Sequence, residues 1–161
     1  MRHKLTRGQL MAHMQGDLRV KWVDNDSEFK VYTGDNIDFR GNQYPLNTLL
    51  YTIENDKNMG WKLLLNPMGA VTQLVIYKGQ RRSVIEEVYN CSGMAGGYVT
   101  VVNSQKVVIK QCSQDGIEVD DIVIYLLKPL CNMAWVNDIL LEWGFDVYGL
   151  IGKGLAEELV R

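Results

Sequence analysis

The first 65 residues alternate between the periodicity of a helix and that of strands. Thr6 and Gln9 have the spacing of a capping box, so a helix is predicted to begin there and to end at Gly16. The apolar stripe of this helix consists of Leu10, Met11 and Met14. The predicted elements that follow are strands over 18–22, 28–32, 37–39 and 61–65 and a short helix that begins at Pro45.

From residue 70 the pattern changes to paired strands joined by short turns. The predicted strand pairs are 71–77 with 83–89 around a turn at 78–80, and 98–102 with 106–112 around Asn103 and Ser104. Asp115 and Gly116 form the strongest hairpin signal of the chain. The run 122–127 is apolar at consecutive positions, which predicts a central strand covered on both faces.

Helical spacing returns after Pro129. Asn132 is predicted to cap a helix that ends at Gly144, and a last short helix is predicted over 153–160. The apolar face of the first of these helices consists of Met133, Val136, Leu140 and Trp143. The sequence therefore predicts an α+β fold, a mainly antiparallel sheet of hairpins with an N-terminal helix and a C-terminal helical pair. We expect a single domain over 1–161, with any sub-boundary near 66–69.

Charge is unevenly distributed along the 161 residues, although the net charge is only −2. Residues 61–110 carry six basic and two acidic side chains, a net of +4, whereas 111–161 carry three basic and nine acidic ones, a net of −6. This asymmetry favours contacts between copies of the chain, and we expect a homo-oligomer. The overall balance argues against a nucleic-acid partner.

The three cysteines, Cys91, Cys112 and Cys131, are widely spaced, and an odd number favours a reducing compartment over a disulfide framework. We expect them to be small buried hydrophobic residues. The first twenty residues include four basic side chains and lack an apolar leader core, and no apolar run is long enough for a membrane span. These features predict a cytoplasmic protein with no membrane partner.

Residues suited to catalysis are scarce. The two histidines, His3 and His13, both lie in the first thirteen residues, far from the cysteines, and His13 is expected to be a partly exposed helical residue. No nucleophile elbow, phosphate-binding loop, dinucleotide fingerprint or zinc spacing can be recognised. The sequence therefore favours a binding protein without a cofactor over an enzyme.

Aromatic and basic residues suggest one ligand site. Trp22, Tyr32 and Trp61 with Arg40 could form an aromatic shelf with a cationic rim, which suits a nucleotide base and its phosphates. The alternative for Trp22 is a place in the core, because it shares a strand face with Val20.

Two further segments could bind anions. The glycine-rich loop 91–97 could approach a phosphate with help from Arg81 and Arg82, although such loops usually serve only as turns. The segment 149–154 opens the predicted last helix, and its alternative role is a hinge that positions this helix.

An acidic cluster supports a different class of function. It consists of Asp115, Glu118, Asp120 and Asp121. Such carboxylates could hold a hard cation, as in magnesium-dependent enzymes, or form an ordinary solvated hairpin end.

Residues 5–65 resemble a pattern of small phage and prophage accessory proteins. The segments that carry the likeness are LTRGQLMAHMQGDLRVKW, a β-meander, YPLNTLL and a strand that begins with GWKL. The pattern is similar to that of proteins of the Thoeris anti-defence type, which sequester a nucleotide signal. The resemblance implies a phage-encoded accessory protein with Trp22 and Trp61 at recurring aromatic positions, and residues 66–161 have no counterpart in it.

We therefore predict a non-enzymatic binding or inhibitor protein that acts by stoichiometric binding. Its expected target is a host protein, such as a defence protein, or a small nucleotide-like ligand. The alternatives are a structural or assembly protein, such as a small virion component, and a metal-dependent enzyme that uses the acids of 115–121.

Overall fold

The computed structural model describes residues 6–13, 19–22, 28–32, 43–45, 61–94, 96–112 and 121–159, with only the backbone described at 22, 28–32, 43–45 and 61. The first element is helix α1, Arg7–Ala12. Its predicted capping box is confirmed, because Thr6 Oγ1 accepts from Gln9 N at 3.1 Å and Gln9 Oε1 accepts from Thr6 N at 3.0 Å. Leu10 is buried and Met11 is exposed; Met14 and the predicted helix end at Gly16 lie outside the described residues.

A five-stranded sheet combines the first four strands of the described chain with its last strand. Its strands are β1 (Arg19–Trp22), β2 (Glu28–Tyr32), β3 (Gln43–Pro45), β4 (Trp61–Leu65) and β10 (Ala156–Glu158), in the order β10-β4-β1-β2-β3. β1 is antiparallel to β2 and β4, β3 is parallel to β2, and β10 is parallel to β4. The predicted helix does not include Pro45, which ends a strand at the edge of this sheet, where proline is tolerated. The rest of that predicted helix lies outside the described residues. The predicted strand 37–39 lies outside the described residues.

The final predicted helix is also wrong, because β10 occupies the middle of 153–160. Leu155 and Ala156 are buried beside β4, and Lys21 Nζ donates a hydrogen bond of 2.8 Å to Glu157 Oε2 in an ion pair. The segment has good helix formers, but the partner that decides its structure lies more than 90 residues away at 63–65. The expected C-terminal helical pair is therefore a helix followed by a strand.

A tight hairpin and a helix follow the five-stranded sheet in the middle of the chain. β5 (Leu74–Tyr77) and β6 (Gln80–Ser83) are antiparallel around Lys78 and Gly79, which both have positive φ. Helix α2 (Val84–Cys91) then replaces most of the strand predicted over 83–89. Ser83 Oγ accepts from Glu86 N at 3.4 Å, and the buried side chains recur at helical spacing. The cap at Ser83 and the packing of these side chains therefore decide this element, although the β-branched Val84 and Ile85 favour a strand.

A three-stranded antiparallel sheet forms the wall of the main core. Its strands are β7 (Tyr98–Val102), β8 (Lys106–Gln111) and β9 (Ile122–Tyr125), and the predicted pairing across Asn103 and Ser104 is confirmed. β8 is the central strand of this sheet as described, so the prediction of a central strand over 122–127 is wrong. Ile122 and Ile124 face the core, whereas Leu127 lies beyond the strand end and is exposed, so the apolar run is not covered on both faces.

Helix α3 (Ala134–Glu142) packs against α2 on this core. Its N-cap is Met133, so the prediction that Asn132 caps it is wrong. The Asn132 side chain instead accepts from Tyr125 N at 2.7 Å and joins the end of β9 to the 3₁₀ turn Pro129–Cys131. Val136, Leu140 and Trp143 are buried as predicted, and Met133 is exposed.

The predicted α+β class is confirmed by these helices and mainly antiparallel sheets. The predicted burial of the three cysteines is wrong: Cys91, Cys112 and Cys131 are all exposed because each lies at or beside the end of an element. Within the described chain, no helix has the length and apolarity to cross a membrane.

Candidate binding groove

A groove of about 270 Å³ lies between the hairpin β5–β6 and the end of β10. Its apolar lining comes from Pro67, Leu74, Ile76 and Leu159, and its charged rim comes from Arg81 and Glu158. Leu74 is 63% exposed although it is a large apolar residue. Asn66 and Gln73 add uncharged polar groups, so the lining is mixed. An open groove with apolar contacts and charges of both signs is typical of a site that binds a partner.

One wall of the groove is the edge of β5 that pairs with no strand in the described part of the chain. A two-residue turn makes Tyr77 and Gln80 the closing pair of the hairpin, and this pair exchanges hydrogen bonds between the strands. Bonded and non-bonded pairs alternate along an antiparallel ladder. The N–H and C=O groups of Leu74 and Ile76 therefore point away from β6, and both residues line the groove.

The opposite wall includes the outer edge of β10. Leu155 O accepts from Leu63 N at 3.2 Å, and Leu159 N donates to Leu65 O at 2.8 Å. Alternate residues of β10 thus bond to β4, and the backbone groups of Ala156 and Glu158 point outward. The groove is bordered by two sheet edges, each with outward-facing donors and acceptors.

Arg81 and Arg82 lie on opposite faces of β6, as consecutive strand residues must. Arg81 lines the groove, and neither Arg81 nor Glu158 forms an ion pair with another described residue. The Arg82 guanidinium lies 5.4 Å from the centroid of the Trp143 ring and 3.5 Å from Glu87 Oε2. Only Arg81 of this pair is therefore available to a partner in the groove.

Beneath Arg82, the rings of Tyr77 and Trp143 stack with centroids 4.2 Å apart and 4° between their planes. The Tyr77 hydroxyl donates to Glu142 Oε1 at 2.6 Å. Burial and this hydrogen bond raise the pKa of Tyr77. The stack fixes β5 against the end of α3 and so holds one wall of the groove in place.

A small cavity of about 30 Å³ adjoins the groove, and Asn66, Ile76 and Leu159 line both. His13 borders this cavity and is only 1% exposed, so the expectation of a partly exposed residue is wrong. The reason is tertiary, because α1 ends against the C-terminal segment and the His13 ring meets Tyr148 edge-on at 6.2 Å.

Neither ring nitrogen of His13 makes a hydrogen bond of regular geometry to the described residues. Burial lowers the pKa of His13 to about 4, and the neighbouring Asp146 carboxylate and Leu141 carbonyl offset only part of this effect. His13 is therefore neutral near pH 7, and the charges that the groove presents to a partner come from Arg81 and Glu158.

The aromatic residues singled out in the sequence lie in the five-stranded sheet. Trp22 and Trp61 are direct partners in the antiparallel register of β1 and β4, and Tyr32 is paired with Pro45. Arg40 lies outside the described residues. The backbone thus brings the two tryptophans together, while their role in binding stays a prediction.

The segment 149–154 is a series of turns that leads into β10. The buried Asp146 carboxylate holds this segment, since Oδ1 accepts from Leu150 N at 2.7 Å and Oδ2 accepts from Ile151 N at 3.0 Å. The prediction that this segment opens a helix is wrong, and the alternative of a hinge that positions this helix fails with it, because the segment leads into β10.

The predicted acidic cluster is described only at Asp121, which is exposed, whereas Asp115, Glu118 and Asp120 lie outside the described residues. No group of three or more metal-ligating side chains occurs in the described part of the chain. The glycine-rich loop is described except at residue 95, and it follows α2 and leads into β7.

Sequence reasoning missed the groove itself because its walls come from segments about 80 residues apart. The local signals were present: the turn at 78–80 was predicted, and alternation in β5 places Leu74 and Ile76 on one side. What was missing was β10, since its segment was assigned to a helix.

Comparison with protein-family models, curated proteins and solved structures found no significant match to this chain.

Proposed function

We propose that this chain is a non-enzymatic binding protein that acts by occupancy and binds one partner per copy in the groove between β5 and β10. The observation that supports this function is the groove itself, with its exposed apolar wall and a cation and an anion that lack ion-pair partners among the described residues. Apolar contact supplies affinity in such a site, and the charged rim supplies selectivity.

A protein partner fits this groove better than a nucleotide. The side chains that line it are aliphatic or polar, with no aromatic ring among those described on which a base could stack. The resemblance of residues 5–65 implies only a phage-encoded accessory protein, since the proteins resembled sequester a nucleotide; the choice of a host defence protein as the partner rests on the lining of the groove. Blocking such a protein requires only stoichiometric binding.

Two matched variants test this function. Leu74 lies in the groove and Leu130 lies outside it, and both are exposed leucines, at 63% and 70%. The tagged chain and the variants Leu74→Glu and Leu130→Glu are expressed in bacteria, and the proteins that copurify are quantified by mass spectrometry.

We expect one protein that copurifies with the original chain and with Leu130→Glu but not with Leu74→Glu. Calorimetry with that purified protein should then give a 1:1 stoichiometry. Equal recovery with all three chains, or turnover of a host molecule by the pure protein, would contradict the proposal.

The structural alternative is supported by a different observation. Val99, Val101 and Val102 of β7 are each about half exposed, and β7 is the edge of its sheet as described. An uncharged, apolar edge strand is a template for pairing with another chain. Self-assembly through β7 is therefore the second candidate function, and its test is given in the Discussion.

A further inference from the structure

We propose that the occupant of the groove is an extended segment of the partner protein, which adds as a β-strand between β5 and β10. This inference rests on the proposed function and specifies the chemistry of the same site. Small molecules and a second copy of this chain are the other possible occupants, and the experiments below distinguish them.

The backbone groups at the two walls match an extended strand. On one wall, Leu74 and Ile76 are two residues apart and point their N–H and C=O groups away from β6. On the other wall, Glu158 points its N–H and C=O groups away from β4. An extended peptide directs the backbone groups of successive residues to opposite sides, at the same two-residue repeat. One inserted segment could therefore bond alternately to both edges, as in recognition by strand addition.

The side chains that line the groove define the sequence of this segment. The aliphatic part of the lining, within a volume of about 270 Å³, accommodates one branched aliphatic anchor residue, such as leucine or isoleucine. Arg81 favours an acidic residue on the side of β6, and Glu158 favours a basic residue on the side of β10. The expected partner segment is thus extended, with an aliphatic anchor flanked by an acid and a base.

A small anionic ligand explains fewer of these features. Such a ligand would use Arg81, but Glu158 would repel it from the other side of the same groove. It would also leave the outward backbone groups of both edges unused. A peptide uses the apolar wall, both charges and both edges.

The first experiment uses a displayed library of random twelve-residue peptides. Selection on the original chain, with counter-selection on Leu74→Glu, should enrich peptides with an aliphatic residue between an acid and a base. One enriched peptide is then synthesised with a methyl group on a central backbone nitrogen, and a second copy is methylated at its terminal residue. We expect the central methyl group to weaken binding at least tenfold and the terminal one to change it less than twofold.

A variant of the protein tests the same hydrogen bonds from the other side. The Glu158 N–H points away from β4, so Glu158→Pro removes an outward donor without removing a bond of the ladder. Glu158→Ala removes only the side chain and serves as the control. We expect Glu158→Pro to weaken binding of the enriched peptide clearly more than Glu158→Ala does. Circular dichroism should show that both variants are folded.

The outcomes separate this inference from the proposed function. If the copurified protein depends on Leu74 but central methylation has no effect on peptide binding, strand addition is wrong and the binding function stands. If the library yields no groove-dependent peptide while sedimentation shows dimers that Leu74→Glu abolishes, the occupant is a second copy and the inference is overturned. If neither a copurified protein nor a peptide depends on Leu74, both proposals are wrong.

Discussion

The backbone carbonyl of Asn66 accepts a hydrogen bond from the Asp146 N–H at 2.9 Å, in a short parallel bridge between the end of β4 and the segment after α3. The Asn66 N–H also donates to Gly144 O at 2.8 Å, and its side-chain amide donates to Trp143 O at 3.2 Å. The buried Asn66 therefore joins the five-stranded sheet to the main core. It also lines both the groove and the adjoining cavity, so this junction positions the candidate site.

Removal of the Asn66 side chain should destabilise the protein. Asn66→Ala leaves the buried Trp143 carbonyl without its amide donor, and an unsatisfied buried polar group costs about 1–3 kcal/mol. We expect the free energy of unfolding in urea to fall by this amount. Asn90→Ala, which changes an exposed asparagine of α2, is the control and should change stability by less than about 0.5 kcal/mol. Equal effects of the two substitutions would show that the Asn66 side chain does not contribute to stability.

His13 should make stability depend on pH between about 4 and 6.5. Its pKa is about 4 in the folded protein and 6.5 in the unfolded chain, so the unfolded state binds the proton more readily in this window. The contribution of neutral His13 is present above pH 6.5 and decreases as the pH falls to about 4, where the loss levels off. At pH 5 the expected loss relative to pH 7.5 is about 2 kcal/mol.

Carboxylates also titrate in acid, so the His13 contribution is isolated by comparison with His13→Leu. Leucine removes the titrating ring and the unpartnered nitrogens while keeping an apolar side chain at this buried site. Urea unfolding of both proteins at pH 7.5 and pH 5 should show a smaller loss for His13→Leu. If the free energies of unfolding of the two proteins change equally with pH, His13 does not have the low pKa given above.

The turn between β5 and β6 should be sensitive to a methyl group at Gly79. Gly79 has φ of 78°, and a Cβ atom there would meet nothing within 4 Å, so the cost of alanine comes from the backbone alone. We expect Gly79→Ala to lower the free energy of unfolding by about 1 kcal/mol. Gly69→Ala is the matched control, because Gly69 is equally open but has ordinary φ, and it should stabilise the protein by about 0.5 kcal/mol. Thermal unfolding of both variants checks this prediction, which fails if they shift in the same direction.

Self-association through β7 can be tested at Val101. The segment Val99-Thr100-Val101 is symmetric, so antiparallel pairing of two copies about Thr100 would place valine opposite valine without a charge on either strand. Sedimentation of the original chain should then show concentration-dependent dimers, and Val101→Lys should remain monomeric. Thr72→Lys adds the same charge at an exposed site outside β7 and should still dimerise. A chain that stays monomeric at all concentrations would exclude this interface.

Elements whose decisive interactions lie within a few residues were predicted correctly. The Thr6 and Gln9 capping box, strands β1, β2 and β4, and the hairpin across 103–104 follow from adjacent side chains and from alternation. The α2 helix also carried a local signal in Ser83 and Glu86, and it was missed because β-branched residues follow the cap. In these segments the residues near each element were enough to indicate whether it is a helix or a strand.

The burial of His13 and the pairing of distant strands were not predicted from the sequence. His13 is buried because the C-terminal segment covers the end of α1, and residues 156–158 form a strand because they pair with β4. The groove also depends on contacts between distant segments, since it lies between β10 and the hairpin β5–β6. The sequence by itself determined the α+β class, the Thr6 cap, the turn at 78–80 and the hairpin across 103–104, because these depend on neighbouring residues. Only the tertiary structure decided which residues are buried, where the last strand pairs and where a partner could bind, because those properties arise from contacts between distant segments that no local pattern encodes.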